Sequence, residues 1–209
     1  MPIPIYHITH IDNLESILSE GGLLAYNVML ETQTNYTNIA YENIQDRRAT
    51  IRVPCGGGGV LHDDYVPFYF APRSPMLYTI NRGNVKSYTQ GQSTVIHLVS
   101  YVENIEAADL SFVFTDGHAV MAFTDFFDDL NYLSAIDWDV MESRYWNDTN
   151  EDNDRKRRRQ AEFLVRYFFP WQLITEIGVM NSTIKTQVEN ILQNFTHQPS
   201  VIVRNNWYY

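Results

Sequence analysis

The stretch Val66-Pro67-Phe68-Tyr69-Phe70-Ala71-Pro72-Arg73-Ser74-Pro75-Met76 decides how the chain is read. Successive side chains of an extended backbone point to opposite sides, so alternating aromatics give a strand two different faces. Phe68 and Phe70 are expected to face a core, and Tyr69 a cleft where its ring can stack on a flat heterocycle. Pro72 and Pro75 stop the strand, because proline cannot donate to a ladder. A short helical turn is expected from Met76 to Gly83.

On the N-terminal side, residues 3–8 read as a strand, and IDNLESILSEGGLL as a helix with Ile11, Leu14, Ile17 and Leu18 on one face. Asp12 is the expected cap of that helix and Gly21-Gly22 its stop. Residues 25–50 are polar and weakly periodic, with a short helix expected around 37–47, and the CGGGG run at 55–59 is expected to form irregular loop. On the C-terminal side, TVIHLVSYV (94–102) fits a central strand and ADLSFVF (108–114) continues the sheet. A helix is expected over 119–133, and a second helix or a loop over 134–146. EFLVRY (162–167) and ITEIGVM (174–180) are strands, NSTIKTQVENILQNF (181–195) is a helix with Ser182 or Thr183 at its start, and SVIVRNNWYY closes the chain as a strand. Helices and strands do not alternate strictly, which predicts an α+β fold with a mostly antiparallel sheet.

The chain has 209 residues, 44% of them hydrophobic and 14% aromatic, and neither a repeat nor a Pro/Ser-rich linker divides it, so one domain over 1–209 is expected. A single cysteine, Cys55, excludes an internal disulfide framework and a Cys-rich metal site, and suits a reducing cytoplasm. No HExxH or comparable spacing of the six histidines points to a metal. No run of 18 apolar residues suggests a membrane span, and the N-terminus lacks the pattern of a secretory signal. Fifteen basic against 25 acidic residues leave a net charge of −10, which argues against broad electrostatic binding of duplex nucleic acid but leaves room for a local groove. The charge is uneven: RYWNDTNEDNDRKRRRQAE (144–162) sets an acidic run directly before a basic one. There is no Walker loop, no G-x-G-x-x-G opening a helix and no G-x-S-x-G elbow.

Three segments carry groups suited to a nucleotide. His7 and Thr9 stand two apart on the first strand and share a face, so an imidazole and a hydroxyl can meet the vicinal hydroxyls of a sugar. A histidine in such a strand is also an ordinary satisfied core residue. Tyr69 is the second element. Glu162 is the third: it opens an apolar strand, where a carboxylate is held rigidly at the border of a core. Beside these, Arg47, Arg48 and Arg52 precede the glycine run, and the Asp116-Gly117 turn leads into His118.

Taken together, YHITHIDNLESIL, the block from Arg47 through DYVPFYFAPRSPMLY, the IHLV strand, FTDGHA and RRRQAEFLV resemble the DarT family of DNA ADP-ribosyltransferase toxins over nearly the whole chain. The resemblance implies an ADP-ribosyltransferase fold, a split and mostly antiparallel central β-sheet flanked by helices. It implies NAD+ as co-substrate, without a metal. The acceptor it implies is a base of single-stranded DNA, above all thymidine within a short motif. It also implies a toxin–antitoxin pair whose antitoxin, DarG, is a separate chain with a macrodomain. By the same resemblance His7, Thr9 and Asn13 match the ribose pocket, Tyr69 the nicotinamide-stacking tyrosine and Met76 its neighbouring wall. Arg48, with Arg47 one position away, matches the essential arginine, a group for the pyrophosphate that also assists loss of the thymine N3 proton. His118 matches the histidine near the active site, and Glu162 the catalytic glutamate. Arg144, Tyr145, Trp146, Arg157 and Arg158 offer stacking and phosphate contacts for DNA, with Arg82 and Lys86 as further candidates. Other acceptors within the same chemistry, namely guanine, RNA or protein, stay open at the level of sequence, as does a non-catalytic nucleotide-binding module.

Overall fold

The computed structural model describes residues 2–209. In chain order its elements are β1 (Pro4–His10), α1 (Leu14–Ser19), β2 (Gly22–Leu24), α2 (Tyr26–Thr32), α3 (Glu42–Arg48), β3 (Tyr65–Tyr69), α4 (Pro75–Asn81), β4 (Val95–Tyr101), α5 (Val102–Ala107), β5 (Phe112–His118), β6 (Phe126–Phe127), α6 (Trp138–Glu142), α7 (Arg155–Arg158), β7 (Ala161–Arg166), β8 (Phe168–Pro170), β9 (Glu176–Val179), α8 (Ser182–Leu192) and β10 (Ser200–Val203). Eight strands form one sheet in the order β10-β9-β4-β1-β3-β7-β5-β6, and β2 pairs with β8 apart from it. All neighbours run antiparallel except β9 and β10. This is the expected mostly antiparallel α+β fold.

The sheet is divided at its middle. β1 and β4 pair from Pro4↔Tyr101 to His10↔Val95, and β3 and β7 from Tyr65↔Arg166 to Tyr69↔Glu162. Between them, β1 and β3 pair at Tyr6↔Tyr69 alone. Pro67 explains the gap. Its carbonyl faces β1, where it accepts from the His7 imidazole at 2.8 Å. The N–H that an ordinary residue would present on that side is absent in proline, so the ladder cannot continue there. A cleft opens where the strands part.

The main core lies on the face carrying Ile5, Phe68, Phe70, Phe114 and Phe163, all buried. Phe70 meets Phe114 and Phe163 edge-on, and Phe114 stacks on Phe127 at 5.1 Å. Truncating Phe163 to alanine would cost about 3–5 kcal/mol, so this face holds β3, β5 and β7 in fixed register. α8 adds Ile184, Val188 and Leu192 to the same core.

Several local expectations are corrected. Asp12 does not cap the first helix: a 3-10 turn (Ile11–Asn13) precedes α1, and the His10 ring accepts the Asp12 N–H at 3.2 Å. α8 starts at Ser182 as expected, and Asn181 caps it by accepting the Ile184 N–H at 3.0 Å. The helix expected over 119–133 is replaced by turns, β6 and a 3-10 segment (Leu130–Ala135). The acids there compete with a helix for its N–H groups: Asp116 takes that of Asp125 and Asp129 that of Asn131. Phe126 and Phe127 are then free to pair with Thr115 and Phe114. The closing strand ends at Val203 and gives way to a 3-10 turn at Asn205–Trp207. α2 and α5 arise in stretches where no helix is expected. Gly21, at φ +74°, makes the expected stop after α1. No helix among the described residues is long and apolar enough to cross a membrane.

Candidate active site

The parted strands border a cavity of about 740 Å³, within the range of small-molecule and cofactor sites. His7, Thr9, Asn13, Arg48, Tyr69, Met76, His118 and Glu162 all line it. Residues spread over 156 positions of sequence, from His7 to Glu162 counted inclusively, thus converge on one space.

Glu162 sits at the base. Its side chain is 4% exposed, and its partner is Arg48, whose Nη1 donates to Oε1 at 2.8 Å and to Oε2 at 2.6 Å. Arg48 is the last residue of α3, which carries its guanidinium across to β7. Arg47 turns elsewhere and donates to the Val120 carbonyl at 3.1 Å. Burial pushes the Glu162 carboxyl upward, but the charge of Arg48, supported by His118, outweighs burial and holds it below the usual carboxylate range. The group is therefore an anion at neutral pH. Because Glu162 pairs directly with Tyr69, both side chains project from the same sheet face. Tyr69 stays protonated, its pKa raised by burial and then by the nearby carboxylate. Its hydroxyl reaches Met76 Sδ at 3.7 Å, at the start of α4, whose N-cap is Ser74.

A bulge aims His118. Between the pairs Phe114↔Phe163 and His118↔Ala161, β5 advances four residues while β7 advances two, so β5 holds two extra residues. Inside the bulge, Thr115 accepts the Glu162 N–H at 3.0 Å and donates to the Gly117 carbonyl at 2.8 Å. His118 emerges with Nδ1 at 3.8 Å from Glu162 Oε1, buried and without a hydrogen-bond partner. Thr115 went unnoticed in the sequence; its signal was its place ahead of the Asp116-Gly117 turn.

On the other wall, His7 Nδ1–H donates to the Pro67 carbonyl, which leaves Nε2 as an acceptor without a protein partner. Burial lowers the pKa of His7, so the neutral ring is the resident form. Asn13 works through others: its Nδ2 donates to Thr9 Oγ1 at 3.0 Å and to the Thr37 carbonyl at 3.0 Å, and its Oδ1 accepts the Thr37 N–H at 2.6 Å. It orients the Thr9 hydroxyl and ties down the loop that brings Tyr36 and Asn38 to the cavity.

The residues expected to meet DNA do not gather here. Arg158 is held by Asp137, Asp152 and Asp154. Arg157 bonds Asp154 and lies 3.1 Å from Asp116 in the bulge, with its guanidinium over the Phe123 ring. A Cβ on Gly117 would fall 2.2 Å from Arg157 Nη1, so a side chain at this position would have to displace the arginine that crosses the bulge. Trp146 is buried and donates to the Tyr209 hydroxyl at 2.9 Å. Tyr145 is exposed, and Arg144 lies on a second cavity. Arg82 and Lys86 do not line the cleft.

The family model described as "ssDNA thymidine ADP-ribosyltransferase, DarT" matches residues 6–209. A DNA ADP-ribosyl transferase of Thermus aquaticus is 48% identical over 212 aligned residues, covering 100% of this chain and 90% of that protein. The solved structure of Thermus sp. 2.9 DarT in complex with ADP-ribosylated ssDNA superposes with a TM-score of 0.92 at 46% identity, covering 100% of this chain and 97% of that one. The same protein in complex with NAD+ gives 0.88 at 45% identity, with 100% and 98% covered. A DNA ADP-ribosyl transferase–DNA ADP-ribosyl glycohydrolase fusion protein of Thermosipho africanus is 26% identical over 91% of this chain and 46% of its own length. The chain belongs to the DarT family of ssDNA thymidine ADP-ribosyltransferases.

Proposed function

We propose that the cleft binds NAD+ and transfers its ADP-ribose to a thymine of single-stranded DNA. The observation that carries this reading is the buried ion pair Arg48–Glu162 on the same face as Tyr69, opposite the free His7 Nε2 and the Thr9 hydroxyl. The cavity fits a dinucleotide in size and in chemistry: an acceptor and a hydroxyl for ribose, a neutral phenol for a flat cationic ring, and a guanidinium for phosphate. The thymine acceptor follows from the family match and from a relative solved with ADP-ribosylated ssDNA.

In the reaction, the bond from ribose C1′ to nicotinamide breaks and its electron pair leaves with nicotinamide. Positive charge then develops on the sugar. Glu162, fixed by the Thr115 bond to its N–H and ionised by Arg48, stabilises that charge. The thymine ring nitrogen forms the new bond to C1′ and loses its proton. Glu162, ionised at the base of the cleft, has a lone pair to receive it. Arg48 assists this step by charge, because a guanidinium held by a carboxylate has no lone pair to offer.

The fused relative joins a DNA ADP-ribosyl transferase to a DNA ADP-ribosyl glycohydrolase, which supports pairing this chain with an activity that reverses the modification; our reading makes that partner a macrodomain antitoxin on a separate chain, acting in the cytoplasm. Residues 1–209 act as one transferase domain. The test is mass spectrometry of single-stranded oligonucleotides incubated with NAD+, offered beside RNA and protein acceptors. The expected result is one ADP-ribose on thymidine-containing DNA, absent with Glu162→Ala. Nicotinamide release with modified guanine, RNA or protein instead would move the acceptor and overturn this part of the reading.

A further inference from the structure

Tyr69 and Glu162 form the last pair of the β3–β7 ladder. Support from the sides is thin there: β1 joins β3 at Tyr69 alone, and β5 meets β7 across the bulge. Ladder ends of this kind open at little free-energy cost, yet the chemistry needs both side chains fixed. Beyond the last pair the backbone is held by side chains instead. The turn over 70–74 leads from Tyr69 to α4, and three successive carbonyls of it are taken from outside. His97 of β4 donates to that of Pro72 at 2.9 Å. Arg159 donates from Nη2 to that of Arg73 at 3.2 Å. The Tyr209 hydroxyl is 3.0 Å from the same Arg73 carbonyl and 3.3 Å from that of Ser74. The Ser74 side chain then caps α4, accepting the Leu77 N–H at 3.1 Å, and α4 opens with Pro75 and Met76 on the wall of the cleft.

Arg159 is the unusual member of this set. It is 3% exposed, and among the described residues no carboxylate pairs with it. Burial pulls its pKa down to about 10, so it remains a cation at neutral pH. A buried cation without a countercharge is costly, and an apolar side chain of similar volume would be less so. What the guanidinium adds is a bridge. Its Nη1 donates to the carbonyls of Val140 and Met141 at 2.6 Å each and of Ser143 at 3.1 Å, while Nη2 reaches the turn. The planar fork thus ties two separate segments together from a position three residues ahead of Glu162. These donors are occupied by the protein's own backbone.

We propose that Arg159 is a positioning residue of the transfer reaction, clasping the open end of the β3–β7 ladder so that Tyr69 and Met76 keep a fixed spacing from Glu162 across the sugar. Tyr209 braces the same turn. The inference rests on the reading of the cleft as the site of ADP-ribose transfer to DNA. A loosened wall would misplace the ribose against its acceptor, and water would then compete for the positively charged sugar.

The experiment measures nicotinamide, modified oligonucleotide and free ADP-ribose for wild type, Arg159→Lys and Tyr209→Phe, with the oligonucleotide raised to saturation. Lysine keeps the charge but offers one nitrogen in place of the fork. The ratio of free ADP-ribose to modified DNA does not depend on how much of the enzyme is folded, so a merely structural loss leaves it unmoved. Arg159→Lys is expected to lower kcat about tenfold and to raise that ratio about as much at saturating DNA, with little change in the KM for NAD+. Tyr209→Phe keeps the ring and removes one brace, so it should shift the ratio in the same direction by less; should Arg159→Lys fail to fold, this variant decides alone. An unchanged ratio in the folded variants would overturn the proposal, whatever happens to total activity. A raised ratio that returns to the wild-type value as the oligonucleotide saturates would also overturn it, and would assign the effect to weaker DNA binding. A wild type that releases nicotinamide but modifies no oligonucleotide would instead overturn the DNA reading itself, a result visible without any variant.

Discussion

Arg48 ends a seven-residue helix and meets one buried carboxylate in the cleft, whereas Arg155 to Arg159 place five cations in a row and meet aspartates and carbonyls outside it. From sequence, the second region offers contacts for a polyanion and Arg48 a group for the chemistry. In the structure the two regions pair their charge differently. The acids of 148–154 lie within a few residues of the bases of 155–158, so each guanidinium finds a carboxylate locally, at low loop-closure cost. Arg48 finds its carboxylate 114 residues away, where only the folded sheet brings it. Long-range pairing that buries a charge is costly to build and marks a site; local pairing on the surface is cheap and contributes little.

The sharpest way to break this comparison is Glu162→Gln. The shape is kept and the charge removed, so DNA modification should fall by about 10²–10³-fold, measured as single-turnover ADP-ribosylation. Next is Arg48→Ala, expected to lose about 10²-fold and to shift the pH profile. In the wild type the Glu162 pKa is depressed, so the anion persists as pH falls and the acid limb of activity should lie below the usual carboxylate value of about 4.3. Without Arg48 the largest lowering influence is gone, burial remains, and the acid limb should move upward. Third is Arg157→Ala. Arg157 touches neither cavity but clamps the bulge through Asp116 and Gly117. A loss of about tenfold in kcat with little change in the KM for NAD+ is expected from misplaced His118 and Glu162. An increase in the KM for DNA with unchanged kcat would instead return Arg157 to DNA contact. The smallest effect is Arg158→Ala, with activity within about threefold of wild type and a melting temperature lower by a few degrees.

A different acid sensitivity should appear in stability. His97 is buried on β4, donating from Nε2 to the Pro72 carbonyl at 2.9 Å, and burial lowers its pKa to about 4. An unfolded histidine titrates near 6.5. The unfolded state therefore binds more protons between these values, and stability should decline as pH falls from about 6.5 toward 4. His97→Asn should flatten that part of a melting-temperature profile.

The strands with alternating or β-branched patterns were legible: β1, β3, β4 and β7 fall within two residues of where the sequence puts them. The face of Tyr69 was legible too, because it depends only on strand periodicity. His7, Thr9, Tyr69 and Glu162 could be named by residue type and strand position. What could not be read was contact. The split at Pro67, the two-residue bulge before His118 and the choice of Arg48 over Arg47 all depend on which strands become neighbours. The helix wrongly expected over 119–133 failed for a local reason, since Asp116 and Asp129 capture the N–H groups it would need.

The most direct test of the account sets Arg48→Ala beside Arg158→Ala. Single-turnover ADP-ribosylation of one thymidine-containing single-stranded oligonucleotide is followed at saturating NAD+. The account predicts that Arg48→Ala loses about 10²-fold while Arg158→Ala stays within about threefold of wild type. A large loss in Arg158→Ala with near wild-type turnover in Arg48→Ala would contradict it, and would place the chemistry on the basic run rather than on the buried pair.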